Sequence, residues 1–218
     1  MKIKAIAFDF DGVIVESTEI KTDAFKDLFS RFQHKFIEIV RYLKENEGVS
    51  RYKKFRFIYQ SILNMPYNSE IETELDERFS RIVIEKIKKC DFVNGAVQFL
   101  ERYQNLYPIY LISSTPDKEL EEIVREKGIS GYFISVNGSS RNKSLWLENI
   151  LNKEKIKPSN LLFVGDTLND YMSAVDTKVL FIGRIRPDNE NLFPSEGLLA
   201  VVRDLNELHD LIDEHNSY

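Results

Sequence analysis

From about residue 91 onward, the chain alternates short apolar runs with stretches of helical periodicity. The apolar runs lie at 109–112, 132–136, 161–164, 179–182 and 199–202. Helical stretches such as 117–127 and 143–153 lie between most of them, and the stretch 204–214 follows the last. This alternation is typical of an α/β fold, in which helices cover both faces of a parallel sheet. Because the run at 3–8 has the same strand-like character, we predict that it joins the same sheet.

Residues 17–90 differ from the rest, because their apolar side chains recur at helical spacing. The sequence breaks at 45–50 and 64–69 contain Gly48 and Pro66, which commonly interrupt helices. We therefore predict an all-helical module of three or four helices at 17–90. It is inserted into a discontinuous α/β core formed by residues 1–16 and 91–218.

The composition of the 218 residues excludes several classes of protein. A hydrophobic fraction of 43% is enough to form a core, and a net charge of -5 does not suit a nucleic-acid partner. The single cysteine, Cys90, excludes an intramolecular disulfide and a cysteine-based zinc site. The apolar run at 3–8 is too short for a signal peptide or a membrane span. We expect a cytoplasmic protein with no membrane partner.

Polar side chains follow three of the predicted strands. Asp9 and Asp11 follow the first, Ser113 follows the second, and Asp166 and Asp170 follow the fourth in the segment "GDTLND". In open parallel sheets, ligands bind beyond the carboxyl ends of the strands. Because carboxylate oxygens are the ligands that Mg²⁺ prefers, we predict that these side chains converge on a Mg²⁺ site.

Lys143 adds a positive charge to the predicted site, but several of these residues also have interpretations that involve no ligand. Lys143, which opens a predicted helix, would add a cation that can contact an anionic ligand, although a lone lysine is more typical of a solvated surface. Asp9 and Asp11 before Gly12 are also typical of a turn, and "GDTLND" is typical of a helix start capped by Asp166 or Thr167. We assign Thr115, which precedes Pro116, to helix capping.

The segments "DFDGVIVES" and "GDTLND", with Ser113 and Lys143 between them, resemble the four-motif signature of the haloacid dehalogenase superfamily of phosphotransferases. The resemblance covers the whole chain and implies a Rossmann-like core with a helical cap. Relatives often carry Asp at the position of Glu16 and Pro-Gly at the position of Asn94-Gly95, but neither difference touches the predicted chemistry.

The resemblance also implies a role for each site residue. Asp9 would be the nucleophile that forms an aspartyl-phosphate, and Asp11 would be the general acid and then the base. Asp9, the backbone carbonyl of Asp11 and Asp166 would bind Mg²⁺, with Asp170 supporting them. The phosphoryl oxygens would be bound by Ser113 and Lys143.

Asp11 favours phosphate esters over halides as substrates, because a halide leaving group needs no protonation. We therefore predict a Mg²⁺-dependent phosphatase of small phosphorylated metabolites, with phosphosugars among the candidates. One alternative is a mutase similar to β-phosphoglucomutase, although those mutases carry a histidine at the position of Lys21; the other is a catalytically silent binding protein of the same fold. Arg51 would either bind a second anionic group of the substrate or lie on a solvated helix face.

Overall fold

The computed structural model describes residues 2–46, 49–186 and 189–216, which form two compact units. One unit combines the residues up to Glu16 with those from Cys90 onward, and the other spans Ser17–Lys89. Gly48, which the sequence analysis placed at a helix break, lies outside the described residues. Within the described ranges, no helix combines the length and the apolar character that crossing a membrane requires.

The helices and strands of the described residues follow the predicted order. The strands are β1 (Ala5–Phe8), β2 (Ile109–Ile112), β3 (Ser135–Asn137), β4 (Leu161–Gly165), β5 (Leu180–Arg184) and β6 (Leu198–Val202). The second unit contains the helices α1 (Ile20–Phe29), α2 (Phe36–Glu45), α3 (Arg51–Phe57) and α4 (Ser69–Lys89). The first unit contains the helices α5 (Ala96–Tyr103), α6 (Asp117–Glu126), α7 (Lys143–Glu154), α8 (Leu168–Thr177) and α9 (Leu205–Asn216).

The strands form one parallel sheet in the order β3-β2-β1-β4-β5-β6. The chain therefore adds β2 and β3 on one side of β1, and β4, β5 and β6 on the other. Between β1 and β4 the direction of strand addition reverses, and such a switch point leaves a crevice at the carboxyl ends of the strands. The predicted parallel sheet is confirmed.

Helices cover both faces of the sheet. Successive residues of β1 point to opposite faces, so their contacts show which helices pack on each face. Ala5 and Ala7 belong to a buried cluster that includes Leu147 of α7 and Tyr171 of α8. On the other face, the ring of Phe8 packs edge-on against Phe99 of α5, with the ring centroids 5.4 Å apart. The predicted α/β core is therefore confirmed.

The prediction of a strand at 132–136 is wrong at the N-terminal end of that range. Residues Ser130–Tyr132 form a 3₁₀ turn, in which the N–H of Phe133 donates to the carbonyl of Ser130. Ile134 remains 55% exposed, and the paired register with β2 begins only at Ser135. The apolar run therefore divides between a turn and a short edge strand, which hydrophobicity alone does not distinguish.

All regular secondary structure in the described part of the second unit is helical, as the sequence predicted. α3 continues into a π-helical turn at Ile58–Ile62. Phe25 of α1 packs against Phe55 of α3 and Phe79 of α4, with ring centroids 5.4 and 4.5 Å away. These aromatic contacts give the unit a core of its own.

Candidate active site

Asp9 and Ser113 lie one residue beyond the ends of β1 and β2. The N–H of Asp9 donates to the carbonyl of Val164 at 2.9 Å, and the N–H of Ser113 donates to the carbonyl of Asn137 at 2.9 Å. Both bonds continue the pairing of the sheet by one residue and direct these side chains to its carboxyl edge. Asp9 is 4% exposed and Ser113 is 2% exposed, so the sheet holds both side chains in a buried position.

Lys143 is the first residue of α7, as predicted, and its side chain lies between two carboxylates. Its Nζ lies 2.9 Å from Oδ2 of Asp9 and donates a short hydrogen bond to Oδ1 of Asp170. Burial alone would lower the pKa of Lys143, but the carboxylates of Asp170 and Asp9 outweigh it and raise that pKa. Lys143 is therefore a buried, charged ammonium and does not lie on a solvated surface.

Asp170 is fully buried and closes the first turn of α8. Its Oδ2 accepts from the N–H and the hydroxyl of Thr167, and the Thr167 hydroxyl in turn accepts from the N–H of Asp170. These bonds form a capping box, so Thr167 and not Asp166 caps the helix. A Cβ on Gly165 would lie 2.3 Å from the Cβ of Asp170, so only glycine lets Asp170 approach β4 this closely.

Asp166 completes a cluster of three carboxylates. Asp9, Asp166 and Asp170 each offer an oxygen within 4.8 Å of the others. Among the described residues, Oδ1 of Asp166 is a buried oxygen without a hydrogen-bond partner. Burial, and then the neighbouring carboxylate of Asp170, raise the pKa of Asp166 to about 7. Burial is also the main cause that raises the pKa of Asp9 well above its ordinary value.

This cluster fits a hard divalent cation. Buried carboxylates this close repel one another, and one lysine cannot neutralise all of them. A cation with an all-oxygen ligand set would relieve the repulsion and would satisfy the unpartnered oxygen of Asp166. The donor set suits Mg²⁺ better than zinc, because it contains neither nitrogen nor sulphur.

Asp11 is partly exposed and contacts Thr115. The prediction that Thr115 is the N-cap residue is wrong, because the N-cap of α6 is Pro116. Pro116 is extended and α6 begins only at Asp117, with no side-chain cap. The Thr115 hydroxyl donates to Oδ2 of Asp11 at 3.2 Å, and the Thr115 N–H donates to Oγ of Ser113 at 3.0 Å. The sequence signal for this role was the position of Thr115 in the polar segment after β2.

Arg184 was missed by the sequence analysis. It ends β5 and is 2% exposed. Its guanidinium donates to the carbonyls of Gly12 and Arg203 at 3.0 Å each, and it forms two hydrogen bonds with the carboxylate of Glu16. An arginine directly after the apolar residues of a buried strand was the available signal, because such a side chain needs partners.

Arg51 lies in the second unit, whereas the other predicted site residues belong to the first unit. It begins α3, and its guanidinium contacts Asp76 at 3.1 Å and Ser80 at 2.9 Å. It also lies 4.7 Å above the centre of the Phe79 ring. With a side chain only 10% exposed, Arg51 packs within the unit and is not on a solvated helix face.

Comparisons with known proteins agree with this arrangement. The family model of haloacid dehalogenase-like hydrolases matches residues 3–176. A curated phosphoglycolate phosphatase from Vibrio vulnificus is 23% identical over 184 residues, which cover 79% of each chain. Two solved structures share the fold at 15% identity. They are a haloacid dehalogenase family hydrolase from Entamoeba histolytica (TM-score 0.77) and a predicted phosphoglycolate phosphatase from Haemophilus somnus (TM-score 0.75), and each alignment covers 97% of this chain and 98% of the other. Because the family model spans most of the sequence, the chain belongs to the haloacid dehalogenase-like hydrolase family.

Proposed function

We propose that the protein is a Mg²⁺-dependent phosphatase that hydrolyses the phosphate monoester of a small metabolite. The observation that carries this proposal is the convergence of Asp9, Asp166 and Asp170 around the buried ammonium of Lys143. Family membership supports a hydrolytic reaction. The name of the Vibrio relative supports a phosphate ester as the substrate.

Ser113 and Lys143 would bind the phosphoryl oxygens of the substrate. The Lys143 ammonium already lies 2.9 Å from Asp9, so a phosphoryl group beside Asp9 would share this positive charge. Asp9, Asp166 and the backbone carbonyl of Asp11 would hold Mg²⁺, with Asp170 supporting them. When bound, Mg²⁺ would neutralise negative charge at the phosphoryl oxygens.

In the first step, a carboxylate oxygen of Asp9 attacks phosphorus, and the bond from phosphorus to the ester oxygen breaks. Asp11 donates a proton to that oxygen, which leaves as an alcohol. In the second step, Asp11 accepts a proton from water while the water oxygen attacks the aspartyl-phosphate. Inorganic phosphate leaves and the Asp9 carboxylate is restored. The Thr115 hydroxyl donates a hydrogen bond to the Asp11 carboxylate and so orients the group that transfers both protons.

The test is hydrolysis of p-nitrophenyl phosphate by the purified protein, in EDTA and after addition of MgCl₂. We expect turnover only with Mg²⁺, and we expect Asp9→Asn to abolish it, because the amide is a poor nucleophile. The matched control is Asp210→Asn, which makes the same change at an exposed position of α9 and should retain full activity. Mg²⁺-independent turnover, or an active Asp9→Asn protein, would refute the proposal.

A panel of phosphorylated metabolites would then identify the substrate. It should contain 2-phosphoglycolate, because of the relative's name, together with sugar phosphates and nucleotides. A phosphatase releases inorganic phosphate from its substrate, whereas a mutase converts one sugar phosphate into another without net release. Absence of metal-dependent turnover across the whole panel would favour the catalytically silent binding protein.

A further inference from the structure

The side chain of Arg184 joins β5 to the turn that follows the two predicted catalytic aspartates. Arg184 and Glu16 form an ion pair, here called the Arg184–Glu16 clamp, in which the arginine side chain is 2% exposed. One nitrogen of the clamp also donates to the Gly12 carbonyl at 3.0 Å. Since β4 lies between β1 and β5, the clamp reaches the Asp11 turn from two strands away.

The turn after Asp11 has a defined geometry that depends on Gly12. Gly12 has a φ of 75°, in the left-handed region that glycine adopts without strain. Its N–H donates to the carbonyl of Val15 at 2.8 Å, and the N–H of Ile14 donates to the carbonyl of Phe10 at 2.9 Å. The clamp also binds the carbonyl of Gly12. Both the N–H and the carbonyl of Gly12, the residue after Asp11, are therefore held by hydrogen bonds.

Stability alone does not readily explain a buried guanidinium at this position. Removing an arginine from water costs several kcal/mol, and well-packed apolar side chains in place of buried ion pairs are often as stable or more so. What an apolar side chain cannot do is donate in a fork to a carbonyl and a carboxylate at once. Two backbone carbonyls and one carboxylate use this fork, and one of the carbonyls directly follows Asp11.

We propose that Arg184, held by Glu16, is a positioning residue that fixes the Gly12 carbonyl and thereby the backbone that carries Asp9 and Asp11. This inference rests on the proposed phosphatase function for its catalytic consequence. Arg184 does not contact the phosphoryl-binding residues Ser113 and Lys143 through any of the hydrogen bonds above. Its loss should therefore affect the chemical step more than substrate binding.

The first test is the kinetics of Arg184→Met, which keeps most of the side-chain volume and removes the donors. With p-nitrophenyl phosphate, well below the melting temperature of the variant, kcat should fall roughly 10- to 100-fold, as expected for a small misplacement of reacting groups. KM should change less than about twofold, because Ser113 and Lys143 are untouched. Arg184→Lys should recover part of kcat. The exposed Arg125→Met is the control and should match the wild type.

A double-mutant cycle with Glu16→Gln tests whether the pair acts as one unit. If Glu16 acts by holding Arg184, Glu16→Gln should lower kcat less than Arg184→Met, and the double variant should resemble Arg184→Met alone. A kcat for Arg184→Met within about twofold of the wild type, with only a lower melting temperature, would show a purely structural role. Fully additive losses in kcat would also contradict the clamp.

Hydrogen exchange provides a readout that does not depend on turnover. In Arg184→Met, the amides of Val13, Ile14 and Val15, which donate to the Phe10 carbonyl, should exchange faster, while those of α7 should not change. Unchanged exchange in this turn would overturn the inference even if the wild type is an active phosphatase. If the wild type hydrolyses no phosphate ester, the proposed function fails, and exchange still decides whether the clamp fixes the turn.

Discussion

Substitution of Gly165 by alanine tests whether the position of Asp170 is as constrained as its contacts indicate. The new Cβ would lie 2.3 Å from the Cβ and 2.7 Å from the Cγ of Asp170, whereas ordinary contacts begin at 3.4 Å. Asp170 or β4 must therefore move by about 1 Å, and misplacement by that distance can lower a rate roughly 100-fold. Overpacking of this kind also costs about 1–3 kcal/mol of unfolding free energy.

The assay compares Mg²⁺-dependent hydrolysis of p-nitrophenyl phosphate by Gly165→Ala and the wild type, together with their melting temperatures. Gly131→Ala is the matched control, because its new Cβ has nothing within 4 Å and its activity should equal that of the wild type. A Gly165→Ala protein that melts earlier but keeps kcat within about threefold would show that the packing of Asp170 against β4 does not determine the geometry of the site.

Three further predictions concern single side chains. Thr115→Val should lower kcat by at least about tenfold while Thr115→Ser retains it, because a hydrogen bond to a charged group contributes about 1.5–3 kcal/mol and each step of about 1.4 kcal/mol is tenfold in rate; equal rates for the two variants would contradict this. Asp166→Asn should raise the melting temperature in EDTA at pH 8 and reduce the stabilisation by MgCl₂. Because the pKa of Asp166 is raised in the fold, ionisation of Asp166 destabilises the metal-free protein progressively as the pH rises from 3.8, its ordinary pKa, to about 7. A lower melting temperature of Asp166→Asn in EDTA would refute this. Arg51→Ala should raise KM for a substrate with a second anionic group more than for p-nitrophenyl phosphate; equal changes would assign Arg51 to packing against Asp76 and Phe79.

The sequence was sufficient to predict the parallel sheet and the convergence of polar residues at its carboxyl edge. The reason is that this inference requires only that the strands be parallel neighbours, and not the complete strand order. All parallel strands present their carboxyl ends at one edge, so Asp9, Ser113 and Asp166 had to meet there whenever their strands were neighbours. Lys143 was predicted to begin a helix and to bind the phosphoryl oxygens, but its two carboxylate partners in the structure, Asp9 and Asp170, were not predicted. Its contacts with two carboxylates depend on how α7 and α8 pack.

Thr115 and Arg184 show why the remainder of the site could not be predicted. The pair Thr115-Pro116 satisfies the local rule for a helix start, but α6 begins one residue later than predicted, and the Thr115 hydroxyl donates to Asp11, 104 residues away in the chain. Arg184 acts on residues 12 and 16, which become its neighbours only after β5 joins the sheet. Contacts between residues so distant in the chain leave no periodic signal in the sequence.

The central position of β1 has a consequence for biosynthesis. Ala7 pairs with Phe163, so at about 5–20 residues per second the ribosome needs roughly 8–30 s to supply this partner. During that interval the edge of β1 that pairs with β4 remains open, although β2 can pair with its other edge earlier. The helices of Ser17–Lys89 can already fold on local contacts. The three acidic residues and Lys143 cannot assemble before residue 170 has left the exit tunnel. A stalled nascent chain that ends before β4 should therefore contain folded helices but should not bind magnesium.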